Sequence, residues 1–345
     1  MTQIKLAPAP EMLIGPEGKP RYGNFAGSIR TLNLDDFDYR SLRRPPWTWT
    51  RDLARQLLKR WQFVGVVDEH FVFGAAVVHV NYLGTGFTYL YDRRTKTIVH
   101  EEIKTPLAVR TCFSPTAVDG VSEIRQGAKS IFMDNTVRDG RREAAVDFGD
   151  KLSAKVAYRE NGTGVTSVIR QSLYGFNHTY KAAGLPALGS FKFNGQEYQF
   201  SDRALALIDW TVGTPPRETI WNWAAAMGRD KKGRILGLNF GSGLNEYGFT
   251  ENTVWLDGKP FMFAGISFEY DSFDIMTPWR LLSTFDDAVD LNFRPEHERF
   301  EQIYAGIASS RLHQPFGLFN GRLALGSEKL NVEMYGFCEE HYAKW

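Results

Sequence analysis

The residues whose types and spacing could do chemistry are concentrated between positions 208 and 252. Two carboxylic acids, Asp209 and Glu251, stand here among tryptophans and asparagines, in the segment IDWTVGTPPRETIWNWAA and in the loop and strand that follow it. A carboxylic acid that is partly desolvated has a raised pKa, which lets it donate a proton near neutral pH. We therefore predict that Asp209 or Glu251 is the catalytic acid of an apolar site.

The neighbouring aromatic and amide residues complete the predicted site. On a strand, Trp221 and Trp223 would share one face and Asn222 would lie on the other. Indole faces can stabilise a developing carbocation through the ring quadrupole, and asparagine amides can orient a water or a substrate hydroxyl. The remaining predicted substrate-binding residues are Trp210, Asn239, Asn252 and, at a break in the strand pattern, His178, Tyr180 and Lys181.

Structural roles stay open for the same residues. Asp209 could cap a turn or pair with Arg217, and the tryptophans could be core or inter-domain packing. Lys181 is either a buried cation facing one of the two carboxylates or a linker lysine. Near the C-terminal end, two-residue spacing on a strand would put Glu339 and His341 on one face, where they could share a network or close the last strand.

Motifs for other chemistries are missing from the sequence. The glycine-rich stretch 237–243 lacks dinucleotide spacing, and there is no P-loop, no His-Glu-x-x-His and no Gly-x-Ser-x-Gly. The seven histidines are scattered, and the two cysteines show no metal-ligand spacing. We therefore predict a function that uses no metal or other cofactor.

Charge and hydropathy narrow the class of partner. The chain has 41 basic and 40 acidic residues with no basic stripe, which argues against nucleic acid or an anionic membrane as the main partner. No apolar run approaches the roughly 18 residues of a transmembrane helix. The N-terminal segment also lacks the basic start and apolar run of a signal peptide. We predict a cytoplasmic protein without an integral membrane segment, and the sequence does not indicate its oligomeric state.

The elements that would position the site are almost all strands. Residues 1–50, rich in Pro, Gly and Asp, predict an extended arm, and leucines at helical spacing predict one short helix from Thr50 to Trp61. Beyond it the hydrophobic period is two, with Asp-Gly and Asn-Gly turns between short strands. A break at residues 180–186 divides this series. We predict an all-β chain with two antiparallel β-barrel or sandwich domains, at residues 51–175 and 176–345.

Aromatic residues are unusually frequent. The chain has 25 Phe, 14 Tyr and 9 Trp, which together make 14% of its residues. Aromatic side chains fit the pleated, half-buried faces of sheets, and they also line apolar pockets. The composition therefore favours either an extensive β core or an aromatic-lined cavity.

Motifs along nearly the whole chain carry a family resemblance. They include Tyr180-Lys-Ala-Ala-Gly-Leu-Pro, Ala206-Leu-Ile-Asp-Trp, Trp221-Asn-Trp, Gly237-Leu-Asn-Phe, Thr250-Glu-Asn and Gly336-Phe-Cys-Glu-Glu-His. These motifs resemble the bacterial domain-of-unknown-function family numbered 2804, which implies no particular activity. The order Asp-Trp, loop, Trp-x-Trp, glycine turn and strand is more distantly similar to the two-domain lipocalin-like, or calycin, proteins, among them carotenoid hydratases and tocopherol cyclases. That similarity implies two β-barrels that handle long apolar ligands at the barrel mouths or between domains.

Two functions are compatible with these patterns. One is a cofactor-independent hydratase, dehydratase, isomerase or cyclase that acts on an isoprenoid, fatty or polyketide-like molecule, with Asp209 or Glu251 as the proton donor. The other is a non-catalytic lipid carrier or sensor with the same cavity. Both predict a hydrophobic small molecule as the partner. They differ in that the enzyme needs a carboxyl group for proton transfer, whereas the carrier does not.

Overall fold

The computed structural model describes residues 4–42, 55–173, 175–193, 195–305 and 308–345. These residues are nearly all β-structure, in two mainly antiparallel sheets. The first sheet has fifteen strands: β1 (Ala7–Pro8), β2 (Gly23–Ala26), β3 (Lys59–Val67), β4 (Phe71–His79), β5 (Leu83–Asp92), β6 (Thr97–Pro106), β7 (Thr111–Cys112), β8 (Val121–Gln126), β9 (Lys129–Arg138), β10 (Arg141–Asp147), β11 (Leu152–Arg159), β12 (Val165–Gln171), β13 (Gly175–Phe193), β14 (Gln196–Gln199) and β15 (Leu205–Gly213).

The second sheet has nine strands and follows the first in the chain. Its order across the sheet is β19-β18-β17-β16-β24-β23-β22-β21-β20, so that the last strand of the chain lies beside the first strand of this sheet. The strands are β16 (Glu218–Arg229), β17 (Ile235–Ser242), β18 (Thr253–Leu256), β19 (Lys259–Met262), β20 (Ile266–Glu269), β21 (Trp279–Ser283), β22 (Val289–Ala305), β23 (Ala308–Leu325) and β24 (Glu328–Lys344).

The curvature of the sheets gives the fold its barrel character. The first sheet runs from β6 through β5, β4, β3, β15, β13, β11, β10 and β9 to β8 and β7. It curls until its far ends meet, where Gln126 Nε2 on β8 donates a hydrogen bond to the Lys104 carbonyl oxygen on β6 at 2.9 Å. Together the sheets form a near-closed barrel and a half-barrel. The predicted all-β class with two barrel-like units is confirmed.

The predicted N-terminal helix is wrong at its C-terminal end. Trp61 lies in β3, where it pairs with Thr211 on β15 and Val78 on β4. Because both edges of β3 are hydrogen-bonded, sheet pairing outweighs the helical spacing of the leucines before it. Residues 50–54, the N-terminal part of the predicted helix, lie outside the described residues, and Arg55 directly after them is helical. The structure also describes two 3-10 turns before β3, Leu34–Asp36 and Tyr39–Leu42.

The chain passes from one sheet to the other between β15 and β16, which is downstream of the domain boundary that the sequence predicts. The long strand β13 begins at that boundary but hydrogen-bonds to β11, β12 and β15 of the first sheet. A division of the chain by sheets would therefore fall between Gly213 and Glu218.

Three clusters of buried side chains hold the sheets together. One belongs to the first sheet and the arm and contains Tyr180 and Trp210. A second lies within the second sheet around Phe293. The third takes residues from both sheets, including Phe63 on β3 and Phe337 on β24, whose ring centroids are 6.0 Å apart. This inter-sheet core holds the two sheets face to face and so positions the side chains that lie between them.

Candidate functional site

A cavity of about 450 Å³ lies between the two sheets, beside the inter-sheet core. The first sheet contributes Phe63 and Phe87 to its wall, and the second contributes Trp221 and Trp223. Phe63 and Trp223 meet edge to face, with ring centroids 5.7 Å apart. The exposed Tyr82 also lines the cavity, so one side of it reaches solvent. The volume falls in the range of about 300–1,000 Å³ that is usual for small-molecule pockets.

A buried ion pair stands on the first-sheet wall of this cavity. The antiparallel register of β13 and β15 places Lys181 directly opposite Asp209, and Lys181 Nζ lies 2.8 Å from Asp209 Oδ2. The same carboxylate accepts hydrogen bonds from Trp61 Nε1 at 3.2 Å and from Thr211 Oγ1 at 2.9 Å. Asp209 is therefore held by a cation and two neutral donors.

Lys181 connects this pair to the second sheet. Its Nζ lies 4.8 Å from the centroid of the Trp223 ring and 3.8 Å from Glu251 Oε1. Burial by itself lowers the pKa of Lys181, but the nearby carboxyl groups of Asp209, Glu251 and Glu339 outweigh burial, and the net effect is to raise that pKa. Lys181 therefore stays protonated at neutral pH and serves as a fixed positive charge rather than as an amine nucleophile.

Glu251 enters the site from the segment between β17 and β18. It is 6% exposed, and its Oε2 has no hydrogen-bond partner in the described part of the chain. Burial raises the pKa of Glu251, the Lys181 ammonium opposes this rise, and the Asp209 carboxylate adds to it. The net shift of the pKa is upward, which favours the protonated carboxyl group that a general acid must offer.

A second acidic network lies on the β24 side of the cavity. Glu339 Oε1 accepts a hydrogen bond from Trp221 Nε1 at 3.2 Å, and its Oε2 accepts one from Gln314 Nε2 at 3.1 Å. His341 Nδ1 lies 3.4 Å from Glu339 Oε1, and His341 Nε2 lies 2.7 Å from Ser310 Oγ. Glu339 and His341 thus share one network, one of the two arrangements that their spacing predicted.

Two of the predicted asparagines support the segment that carries Glu251. Asn239 Oδ1 accepts a hydrogen bond from Trp223 Nε1 at 2.8 Å, and Asn239 Nδ2 donates to the Glu251 carbonyl oxygen at 3.0 Å. Asn252 Oδ1 accepts from the Gly241 amide at 2.6 Å. These asparagines therefore fix the position of Glu251 and of the Trp223 ring, and neither belongs to the cavity wall.

The described residues contain neither a membrane-crossing helix nor a metal-binding cluster. No helix among them is long and apolar enough to span a bilayer. In the same residues, no group of three or more His, Cys, Asp and Glu side chains has the geometry to hold a metal ion.

A family model matches the sequence over almost its entire length. The model is described as Domain of unknown function (DUF2804), and it covers residues 8–345. The chain belongs to this family. A comparison of this DUF2804 chain with curated proteins gave no match.

Two solved structures share the fold of the DUF2804 chain. An AttH candidate from Nitrosomonas europaea superposes with a TM-score of 0.53 at 12% identity, covering 82% of this chain and 92% of that chain. Kievitone hydratase from Nectria haematococca superposes with a TM-score of 0.50 at 10% identity, covering 82% and 88%. Both are lipocalin-like barrel proteins, as the sequence resemblance implied. At such identities the likeness shows the fold alone.

The structure brings together some of the predicted site residues at the cavity of the DUF2804 chain. The predicted residues that line it are Lys181, Asp209, Glu251, Trp221, Asn222 and Trp223. Of the two readings of Lys181, the geometry is that of a buried cation facing both carboxyl groups. Asn222 also donates from Nδ2 to the Tyr270 hydroxyl at 2.9 Å, which anchors the rim of the second sheet.

Three other predicted residues do not reach the cavity. Trp210 donates from Nε1 to Ser114 Oγ at 2.8 Å inside the first-sheet core, and His178 packs edge-on against it with ring centroids 5.6 Å apart. Tyr180 also lies in that core, where its hydroxyl donates to Glu160. Side chains alternate between the two faces of a strand, so each of these residues points away from the face that carries Lys181 and Asp209. Burial lowers the pKa of His178 to about 4, so it stays neutral there.

The cavity also contains residues that sequence reasoning did not select. Trp61 was assigned to the predicted helix, although its place two residues before Phe63 in an apolar run would have put both on one face of a strand. Gln314 and Asn245 are single polar residues without a local motif. Their roles come from partners distant in the sequence, Glu339 for Gln314 and Gln171 for Asn245.

Proposed function

We propose that the chain binds a hydrophobic small molecule, isoprenoid, fatty or polyketide-like, in the inter-sheet cavity and acts on it as a cofactor-independent acid–base enzyme. The reaction class is hydration, dehydration, isomerisation or cyclisation, with Glu251 as the proton donor. The observation that carries this proposal is a buried carboxyl group with a raised pKa at the wall of an aromatic-lined cavity.

Glu251 is a better candidate for the acid than Asp209. Asp209 is engaged by Lys181, Trp61 and Thr211, so its oxygen atoms already serve as acceptors within the protein. Glu251 keeps one oxygen without a hydrogen-bond partner in the described residues and lies farther from the Lys181 ammonium. Proton transfer by Asp209 would require that its ion pair first be broken, which is costly in a buried site.

The proposed step is protonation of a carbon–carbon double bond. The Glu251 carboxyl group transfers its proton to one alkene carbon, and the other carbon becomes cationic. The indole face of Trp221 or Trp223 can stabilise this charge. In hydration, a water oxygen then bonds to the cationic carbon and gives up a proton to the Glu251 carboxylate, which restores the acid. In isomerisation, the carboxylate takes a proton from a carbon next to the cationic carbon, and a double bond forms between the two. In cyclisation, a second double bond of the same molecule first bonds to the cationic carbon, and the new cation then loses a proton from a neighbouring carbon to the carboxylate.

The structural neighbours support this proposal in a limited way. One of them is named a hydratase, and hydration is among the reactions proposed for this cavity. No residue is transferred from that protein, because fold likeness does not assign chemistry. The support for Glu251 is therefore its own environment.

A non-catalytic lipid carrier or sensor is the second candidate. The same cavity favours it, since an apolar wall of this volume retains a hydrophobic ligand whether or not chemistry follows. The two candidates differ in their need for Glu251. A carrier with Glu251→Gln keeps its ligand and its function, whereas the enzyme keeps the ligand and loses turnover.

The test starts from protein purified from its own host. Native mass spectrometry with lipid extraction identifies the bound molecule, and turnover of that molecule is followed for the natural chain and for Glu251→Gln. The control is Glu143→Gln, whose carboxyl group on β10 pairs with Arg141 at the protein surface. Loss of roughly 100-fold or more in turnover in Glu251→Gln alone supports the enzyme. Equal turnover in Glu251→Gln and Glu143→Gln would exclude Glu251 as the acid. If the natural chain itself does not turn over the bound molecule, the result supports the non-catalytic carrier.

A further inference from the structure

The polar wall of the cavity holds more carboxyl groups than cations. Asp209, Glu251 and Glu339 are 4%, 6% and 6% exposed, respectively. Lys181 is the buried cation among them, and its ammonium is shared between Asp209 and Glu251. Lys344, which also lines the cavity, makes a separate surface ion pair at 2.7 Å. Glu301, a further lining carboxyl group, is engaged by Arg299. Among the described residues, the buried part of this wall therefore has three carboxyl groups, Asp209, Glu251 and Glu339, around the one Lys181 ammonium.

Four hydrogen-bond donors of the same wall are engaged by the protein itself. Trp61 Nε1 donates to Asp209, as does the Lys181 ammonium. Trp221 Nε1 and Gln314 Nε2 both donate to Glu339. A ligand that brings only acceptors therefore finds these donors occupied, whereas carboxylate oxygens have further lone pairs that can accept.

Gln314 shows which kind of group is missing. It lines the cavity, is 2% exposed, and its Oε1 has no partner in the described residues. The amide orientation is fixed because Nε2 faces the Glu339 carboxylate, which can only accept while it is ionised. The unpaired atom is thus an acceptor. Buried polar atoms are nearly always satisfied, so a donor is expected here.

We propose that the cavity selects a neutral apolar ligand that carries a hydroxyl group, an alcohol or a phenol, and rejects the free carboxylic acid of similar shape. The hydroxyl donates to Glu339 or to Gln314 Oε1, and the hydrocarbon part lies against the aromatic wall. A fatty acid would add its carboxylate to a wall that already holds the acidic side chains of Asp209, Glu251 and Glu339, and like charges in a desolvated site repel strongly. The inference rests on the proposed function in one respect, namely that a small apolar ligand occupies this cavity.

The test compares four probes of equal shape that differ in one group: 4-octylphenol, 4-octylanisole, 4-octylbenzoic acid and 4-octylaniline. Binding to the full chain is measured at pH 7.5 by quenching of tryptophan fluorescence and by calorimetry. At this pH the phenol and the aniline are neutral and the benzoic acid is ionised. We expect the phenol to bind about tenfold or more tightly than the anisole, since a hydrogen bond to a charged acceptor is lost in the ether. The benzoic acid should bind more weakly than the anisole.

The outcomes separate this inference from the proposed function. Equal affinity for all four probes, or tightest binding of the benzoic acid or the aniline, overturns the hydroxyl selectivity and leaves the apolar cavity standing. Absence of binding for every probe, the anisole included, overturns the cavity as a ligand site and this inference with it. Tightest binding of the phenol supports both.

Two variants locate the selectivity on β24. Glu339→Gln removes the negative charge with little change of shape, and it should reduce the preference for the phenol over the benzoic acid by about tenfold or more. Glu340→Gln is the matched control, because the next residue on the strand faces the other side and accepts from the Tyr270 hydroxyl at 2.6 Å. An unchanged preference in Glu339→Gln, or an equal change in Glu340→Gln, would place the selectivity elsewhere. The four-probe comparison with the natural chain stands even if Glu339→Gln does not fold.

Discussion

Lys181 and Asp209 lie directly opposite each other on neighbouring strands, and their charged atoms are 2.8 Å apart between the two sheets. Both side chains are nearly inaccessible to solvent, with 7% and 5% of their surface exposed. Taking two charges out of water costs several kcal/mol for each ion, and the cost is offset only when the geometry is good and further hydrogen bonds are made. The hydrogen bonds from Trp61 and Thr211 meet that condition for Asp209.

Removal of the Lys181 ammonium should destabilise the protein strongly. In Lys181→Met, the Asp209 carboxylate stays buried without its cation, and we expect a loss of about 3–5 kcal/mol in the free energy of unfolding. Denaturation by urea, followed by far-ultraviolet circular dichroism, measures this loss.

The control for this variant is Lys192→Met, which breaks an exposed ion pair with Asp150 of similar length, 2.7 Å. Exposed pairs contribute little, so Lys192→Met should lose far less stability than Lys181→Met. The double variant Lys181→Met with Asp209→Asn should recover part of the loss, because no uncompensated charge remains. A loss of stability of similar size in both lysine variants would contradict a special role of the buried pair.

The raised pKa of Glu251 predicts a specific dependence of stability on pH. Since the pKa is higher in the folded chain than the ordinary value of 4.5, the folded state binds this proton more tightly than the unfolded state. Stability therefore falls as pH rises from about 4.5 through the folded-state pKa, and the full penalty is present above it. The raised pKa of Lys181 acts only in alkaline solution, above the ordinary lysine value, and does not interfere in this window.

Glu251→Gln should remove this part of the pH dependence. As pH rises from 5 to 8, the natural chain should lose stability through ionisation of Glu251, whereas Glu251→Gln should not. The variant should therefore become more stable relative to the natural chain over this range. Urea denaturation at several pH values gives this difference, with Glu143→Gln as the surface control. Parallel curves for Glu251→Gln and the natural chain would show that Glu251 ionises as an ordinary glutamate.

The sequence predicted the fold class because alternation and turn signals are local. The apolar runs at positions 71–80 and 98–103 are recognisable as strands and correspond to β4 and β6, and Asp-Gly turns such as Asp257-Gly258 lie between other strands. Pairing between distant strands is not local. Nothing in the sequence of β15 shows that it hydrogen-bonds to β3, about 145 residues earlier, and this pairing places β15 in the first sheet.

For the candidate site, the sequence predicted which side chains of one strand share a face. Trp221 and Trp223 were assigned to one strand face, and both line the cavity. The same rule separates Trp210 from Asp209, but a single strand does not show which face is turned toward the other sheet. Glu339 was recognised as a possible network residue, whereas its donor Gln314 lies on a different strand and carries no motif. Partners brought together by sheet packing therefore require the structure.

Filling the cavity should block the ligand without unfolding the chain. Val78 on β4 lines the cavity and is half-buried, so Val78→Trp adds a large side chain where space exists. We expect affinity for 4-octylanisole to fall at least about tenfold, while stability changes by less than about 2 kcal/mol. The control is Val137→Trp at an exposed position on β9. Unchanged affinity in Val78→Trp would mean that the probe binds elsewhere.

The Asn245 amide group should lower the pKa of Glu251, because two hydrogen bonds hold this amide in one orientation. Its Oδ1 accepts hydrogen bonds from Gln171 Nε2 and from Asn177 Nδ2, each at 3.0 Å, so its Nδ2 is left to face other acceptors. Asn245 lowers the pKa of Glu251 against the larger effect of burial. In Asn245→Ala this interaction is lost, and the pKa of Glu251 should rise further.

Two measurements test this role. Asn245→Ala should lose about 1–3 kcal/mol of stability, because Asn177 Nδ2 loses its acceptor and Gln171 Nε2 keeps only the Leu244 carbonyl oxygen. The ionisation of Glu251 lowers the free energy of unfolding over a certain pH range, and in Asn245→Ala this range should move to higher pH. The contribution of Glu251 is obtained by comparing Asn245→Ala with the double variant Asn245→Ala and Glu251→Gln. Asn331→Ala, at an exposed position on β24, is the control for both. A loss of stability with no displacement along the pH axis would leave Asn245 as a packing residue, because a purely structural role changes stability equally at every pH.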